Sequence, residues 1–160
     1  MKNLLIVWHS MTGGSEALAR AAASGAREAE VELLHADAAG ADDMLAADGY
    51  LFVFPENLAA ISGVMKAFFD RVYYPCLGKI EGRPYAVIVC AGSDGSNAVM
   101  QTERIATGWR LKKVADSVIV CTRAQTPEVI LAAKNVSETD LQKSHDLGAA
   151  LAAGLAIGVF

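Results

Sequence analysis

The sequence predicts an α/β fold in which one five-stranded parallel sheet lies between two layers of helices. Three observations predict it. Apolar runs alternate with amphipathic segments along the chain, several of those runs contain almost no polar residue, and 160 residues with 53% apolar content suit one domain spanning residues 1–160. Such a chain can bury about two-thirds of its unfolded surface, so it needs neither disulfides nor a structural metal to hold a core.

The elements follow in order. Leu4–Trp8 is a first strand, and its lack of in/out alternation marks a central position, because strands covered on both faces lose that alternation. Ser15–Glu28 sets Leu18, Ala21, Ala22 and Ala26 on one helical stripe, with Glu16, Arg20 and Arg27 left for solvent. Val31–Leu34 carries Glu32 and is expected at an edge. Tyr50–Phe54 is a second central strand, followed by a helix over Ser62–Tyr73 whose Met65, Phe68, Phe69 and Val72 recur at core spacing. Tyr85–Cys90 is the third central strand, Asn97–Gly108 a weaker helix, and Ser117–Cys121 the fifth strand. Ser137 with Asp140 three residues on opens a last helix that runs to about Gly158. Leu147, Leu151, Leu155 and Ile157 make this helix apolar nearly all round. It is expected either to self-associate, as a homodimer or homotetramer, or to be covered by the chain's own termini.

Composition excludes several classes of function. The net charge is −4 and the basic residues are scattered, so no stripe offers itself to nucleic acid. No apolar stretch reaches the roughly 20 residues of a membrane span, and the first residues lack the cleavage site of a secretory signal, so a cytoplasmic location is expected. Cys76, Cys90 and Cys121 are an odd number, far apart and without histidines at ligand spacing, which argues against a disulfide framework or a zinc site. Cys90 and Cys121 read as small core residues. Cys76, between Pro75 and Gly78, reads as the exposed thiol.

In an open parallel sheet, ligands bind beyond the carboxyl ends of the strands, where strand order reverses. The loop after the first strand, His9-Ser10-Met11-Thr12-Gly13-Gly14-Ser15, runs straight into a helix. Its glycines let backbone N–H groups turn inward, and Ser10, Thr12 and Ser15 add hydroxyls, which suits one phosphate monoester. The same residues also serve as ordinary turn and cap residues. The loop has neither the lysine of a nucleoside triphosphatase nor the Gly-x-Gly-x-x-Gly of a dinucleotide site. Two further loops, Pro55–Gly63 and Ala91–Asn97, converge on the same edge and are rich in small and polar residues.

Ser10-Met-Thr-Gly-Gly-Ser15 followed by Glu-Ala-Leu-Ala-Arg-Ala resembles the phosphate loop and first helix of the flavodoxin-like FMN proteins. Pro55 with Ser62-Gly-Val-Met-Lys-Ala-Phe-Phe-Asp-Arg71 resembles their second flavin loop, and Ala91-Gly-Ser-Asp-Gly95 the third. Within that family the motifs are most similar to the tryptophan-repressor-binding-protein-like quinone oxidoreductases and the NAD(P)H-dependent FMN reductases. The resemblance implies strand order 2-1-3-4-5 and FMN as cofactor. By position, Ser10, Met11, Thr12, Gly13, Gly14 and Ser15 would hold the phosphate, Pro55, Glu56, Asn57, Leu58 and Ala59 would follow the ring, and Ala91, Gly92, Ser93, Asp94 and Gly95 would cover its other side. The activity implied is reduction of a quinone or similar small acceptor with NAD(P)H as co-substrate, through flavin N5. The alternative is a flavodoxin-type electron carrier that serves a redox partner protein.

Departures from the pattern bear on that choice. Neither ring loop contains an aromatic residue, and −4 is a modest charge for an electron carrier; both favour an enzyme with an open flavin face. Glu56 and Leu58 stand where such quinone reductases often have Thr or Arg and an aromatic. His9 either contacts the phosphate or caps the loop, Asp94 is a pyrimidine partner or a turn residue, Trp8 and Trp109 read as packing, and His35 and His145 read as surface residues.

Overall fold

The structure, a computed structural model, describes all residues 1–160. In chain order the elements are β1 (Asn3–Trp8), α1 (Gly14–Gly25), β2 (Glu30–His35), α2 (Ala41–Ala46), β3 (Gly49–Asn57), β4 (Ala60–Ile61), α3 (Gly63–Cys76), β5 (Pro84–Ala91), α4 (Ser96–Gly108), β6 (Lys112–Lys113), β7 (Val118–Cys121), α5 (Pro127–Leu131) and α6 (Glu138–Ile157). The sheet runs β2-β1-β3-β5, and β6 and β7 both pair with β5 in parallel. Those two short strands are one interrupted fifth strand: β6 pairs with Pro84 and Tyr85, and β7 with Ile88–Ala91. Counted that way, the order is the expected 2-1-3-4-5, with Glu32 in the edge strand.

Each central strand feeds two cores. Leu5, Val7, Phe52, Phe54, Val87 and Val89 face one side, where Met65, Phe68 and Phe69 of α3, Met44 of α2 and Trp109 complete an aromatic-rich core. Leu4, Ile6, Leu51, Val53 and Ile88 face the other, against Leu18 and Ala22 of α1 and Leu147 and Leu151 of α6. This two-sided burial is the physical reason that β1, β3 and β5 read as unbroken apolar runs. Ser137 Oγ accepts the Asp140 N–H at 3.2 Å and starts α6 as its sequence indicates.

Two expectations are corrected. Cys76 is fully buried, because α3 runs one residue past Pro75; a proline in the final turn removes a single intrahelical bond and does not stop the helix earlier. Cys121 is the exposed thiol and Cys90 the buried one. Burial pushes the Cys90 thiol up to about 11, with Lys134 pulling the other way. Along α6, Leu147, Leu151 and Leu155 are buried against α1 and the sheet, and Ile157 is exposed.

The α1–α6 crossing is a backbone contact. A Cβ on Gly148 would lie 2.0 Å from the Ala22 carbonyl oxygen, and one on Gly25 would lie 2.1 Å from that of His145. No helix is long and apolar enough to cross a membrane.

Candidate functional site

The three loops meet where the sequence places them, at the carboxyl ends of β1, β3 and β5. Gly13 adopts φ +98°, a left-handed value that costs glycine little, and its N–H donates to Ser10 Oγ at 2.9 Å. That bond tightens the turn so that α1 begins at Gly14. The N–H groups of Gly14, Ser15 and Glu16 then have no acceptor within the chain, as expected of a first helical turn. Ser15 Oγ is buried and makes no hydrogen bond, although the Cys90 thiol lies beside it. Gly14 is packed closely enough that a Cβ there would approach Cys90 Sγ to 2.9 Å.

The second loop is a hairpin. β3 runs on to Asn57, turns through Leu58 and Ala59, and returns antiparallel as β4, with Asn57 opposite Ala60. Leu58 and Ala59 have φ +50° and +60°, the paired left-handed values of a two-residue hairpin turn that Asn and Gly normally fill. Leu58 is fully exposed. The third loop leads into α4 through Gly95 at φ +88°, where a side chain would strike Ile119. The two loops are joined: Glu56 accepts N–H groups of Gly95 and Ala98, and Asn97 Nδ2 donates to the Ala59 carbonyl.

Between them lies a cleft of about 480 Å³, within the range of small-molecule sites. Of the residues implied by resemblance, Met11, Glu56, Asn57, Leu58, Ala59, Gly92 and Ser93 line it. Thr12, Pro55 and Ala91 line a narrower extension of about 70 Å³ toward the first loop. Ser10, Gly13, Gly14, Ser15, Asp94 and Gly95 line neither space and sit in the loops beside them. Asp94 is exposed and accepts the Ser96 N–H at 3.1 Å, as a turn residue does, and its hydrogen bonds from Ser96 hold its carboxyl below the usual range.

Sequence reasoning missed the fourth wall. After β7 the chain crosses the cleft, so that Thr122, Ala124, Ile130 and Lys134 also line these spaces. Thr126 caps the short helix α5 with Pro127 at its first position. Lys134 ties the segment down: its N–H donates to the Thr12 carbonyl at 3.0 Å, and its ammonium donates to the Val129 and Ile130 carbonyls at 2.8 Å. The Thr-Pro pair was the available signal, since it sits beyond a strand's carboxyl end like the other three loops.

His9 stands at the end of β1, with Nδ1 2.8 Å from Ser62 Oγ and its ring 5.8 Å from that of His35. Burial first, and His35 second, hold its imidazole below the ordinary 6.5. His35 and His145, expected at the surface, are half-buried, His35 edge-on to Trp8. Trp109 is core, as its sequence position indicated.

Comparison with known proteins agrees with this geometry. A flavodoxin from the domain Archaea superposes with a TM-score of 0.79 at 15% identity, covering 96% of this chain and 98% of that one. A WrbA-like flavodoxin from Agrobacterium tumefaciens gives 0.75 at 20% identity, with 96% of each chain covered. The flavodiiron protein of Giardia intestinalis gives 0.77 at 20% identity, covering 99% of this chain and 37% of that one. These likenesses show the flavodoxin-like fold. A curated flavodoxin of Aquifex aeolicus (strain VF5) is 38% identical over 96 residues, which are 58% of this chain and 50% of that protein, so the match spans half of the relative's length. The NADPH-dependent FMN reductase family model matches residues 4–125, which run from the second residue of β1 past β7 and hold all three converging loops. By that match, and by a sheet order and loop geometry that agree with it, the chain belongs to the NADPH-dependent FMN reductase family.

Proposed function

We propose that the protein binds FMN in this cleft and carries electrons between redox partners. The observation that supports the reading best is the first loop: the N-terminal turn of α1 carries three unpaired N–H groups and the unpaired hydroxyl of Ser15, donors of the kind that bind a phosphate. Thr12 and Ser15 would supply hydroxyls to it, and Ser10 would hold the turn. The backbone of Pro55–Ala59 and Ala91–Gly95 would flank the ring. FMN would supply the redox chemistry, by single electrons or hydride, and the protein the orientation and electrostatics. Electron carriage is supported by the relatives, most of which are flavodoxins by name.

A second reading is NAD(P)H-dependent reduction of a quinone or similar small acceptor. Two observations favour it: the matching family is named for an NADPH-dependent reductase, and no aromatic side chain lines the cleft to cover a ring face. The test is an absorption spectrum after incubation with FMN and removal of free dye, then anaerobic addition of NADH or NADPH. Retained flavin bands support the site, and a colourless protein refutes it. Bleaching by NAD(P)H alone selects the reductase, whereas bleaching only with an added flavodoxin reductase selects the carrier.

A further inference from the structure

Glu56 lines the cleft, yet its carboxylate is engaged elsewhere. Oε1 accepts the Gly95 N–H and Oε2 the Ala98 N–H, each at 3.0 Å. Gly95 is the N-cap of α4 and Ala98 its third residue, and these are the two donors that a capping box satisfies with side chains at those same positions. Glycine and alanine have nothing to offer there. The cap of this 13-residue helix therefore comes from across the cleft. Asn97 to the Ala59 carbonyl and the Ile61 N–H to Gln101 Oε1 add two more bonds between the same pieces.

We infer that Glu56 is a positioning residue of the flavin site: by capping α4 from the second loop, its carboxylate locks two cleft walls into one body and leaves a net negative charge on that wall. The inference rests on the FMN reading above. A helix N-terminus carries roughly half a positive charge, so a full carboxylate upon it reverses the sign. Negative charge added to the ring on reduction is then disfavoured, and the flavin potential is held low.

Three variants separate the bonds from the charge. Glu56→Gln keeps the length and loses the charge and one acceptor, while Glu56→Asp keeps the charge on a side chain too short to span both donors. Amide hydrogen exchange of Gly95 and Ala98 is read in the FMN-free protein, and FMN affinity and potential in the loaded protein. In Glu56→Gln the amide that loses its acceptor is expected to exchange at least about tenfold faster, FMN to bind about tenfold more weakly, as one lost hydrogen bond implies, and the potential to move positive. Glu56→Asp should show the exchange effect with a potential near wild type. Glu56→Ala should show both effects in full. Unchanged exchange at both amides in Glu56→Gln overturns the capping role, and an unchanged potential overturns the charge effect. If wild-type protein takes up no FMN, the FMN reading fails and the charge effect with it; faster exchange in the variant would still support the cap.

Discussion

Two glycines of α6 invite the same substitution and should answer it with different results. At Gly148 a new Cβ meets the Ala22 carbonyl oxygen at 2.0 Å, and this neighbour is the backbone of α1. Ordinary contact would require α1 and α6 to part by about 1.4 Å, and that gap would cross the packing of Leu18 and Ala22 against Leu147 and Leu151. Overpacking of this kind costs about 3 kcal/mol, and replacing a helical glycine by alanine returns about 1 kcal/mol, so Gly148→Ala should lose about 2 kcal/mol. For a chain of this length that corresponds to a Tm lower by roughly 4–8 °C. At Gly154 the nominal contact is as short, 2.1 Å, but the neighbour is the ring tip of the Phe160 side chain, which can rotate away. Gly154→Ala should therefore leave Tm within about 2 °C of wild type, lost Phe160 packing and gained helix propensity offsetting one another. Thermal unfolding followed by circular dichroism reads both. A Gly148→Ala protein as stable as wild type, or a Gly154→Ala protein that falls as far as Gly148→Ala, would show that the rigidity of the neighbour is not what decides the cost.

Two other outcomes are expected. Ser15→Ala removes a buried hydroxyl without a partner, so the FMN-free protein should gain about 1 kcal/mol while FMN affinity falls about tenfold; a variant that is both less stable and unchanged in affinity would show that the hydroxyl serves packing only. His9 is held below its ordinary value, so on acidification the unfolded chain takes up a proton near pH 6.5 before the folded protein does. Stability should fall as pH drops through about 6.5 and level off once folded His9 also protonates, and His9→Asn should flatten that limb. Asp48, lowered chiefly by the Asn3 N–H, loses its contribution in a separate window below its ordinary 3.8, so superimposable Tm profiles of wild type and His9→Asn between about pH 5 and 7 would count against the assignment.

The five sheet positions and the four long helices are legible in the sequence because each leaves a pattern: runs without alternation for β1, β3 and β5, and i, i+3, i+4 stripes such as Met65, Phe68 and Phe69 for α3. α2, β4, β6 and α5 span two to six residues, too few for any period to register. Cys76 was misplaced because Pro75 and Gly78 look like loop punctuation, whereas the chain needs only one more helical residue to seat the thiol in the core. The three loops of the cleft could be read because strand ends in a parallel sheet collect ligands. The role of Glu56 could not, since nothing near it in the sequence shows that Gly95 and Ala98 leave α4 without a cap. The wall built by Ile130 and Lys134 depends on one bond to Thr12, which no local signal encodes.

That last bond joins residues far apart in the sequence. The cleft is closed on one side by the Lys134 segment, which that bond holds to the first loop. The cavity is therefore finished only when distant parts of the chain have come together, and contacts of such long range slow folding. A ligand of the cleft would therefore bind the folded chain in preference to the unfolded one. It would act through mass action, drawing the finished state away from its unfolded competitors in proportion to ligand concentration, so that supply of the ligand in the cell would also govern how long each molecule survives.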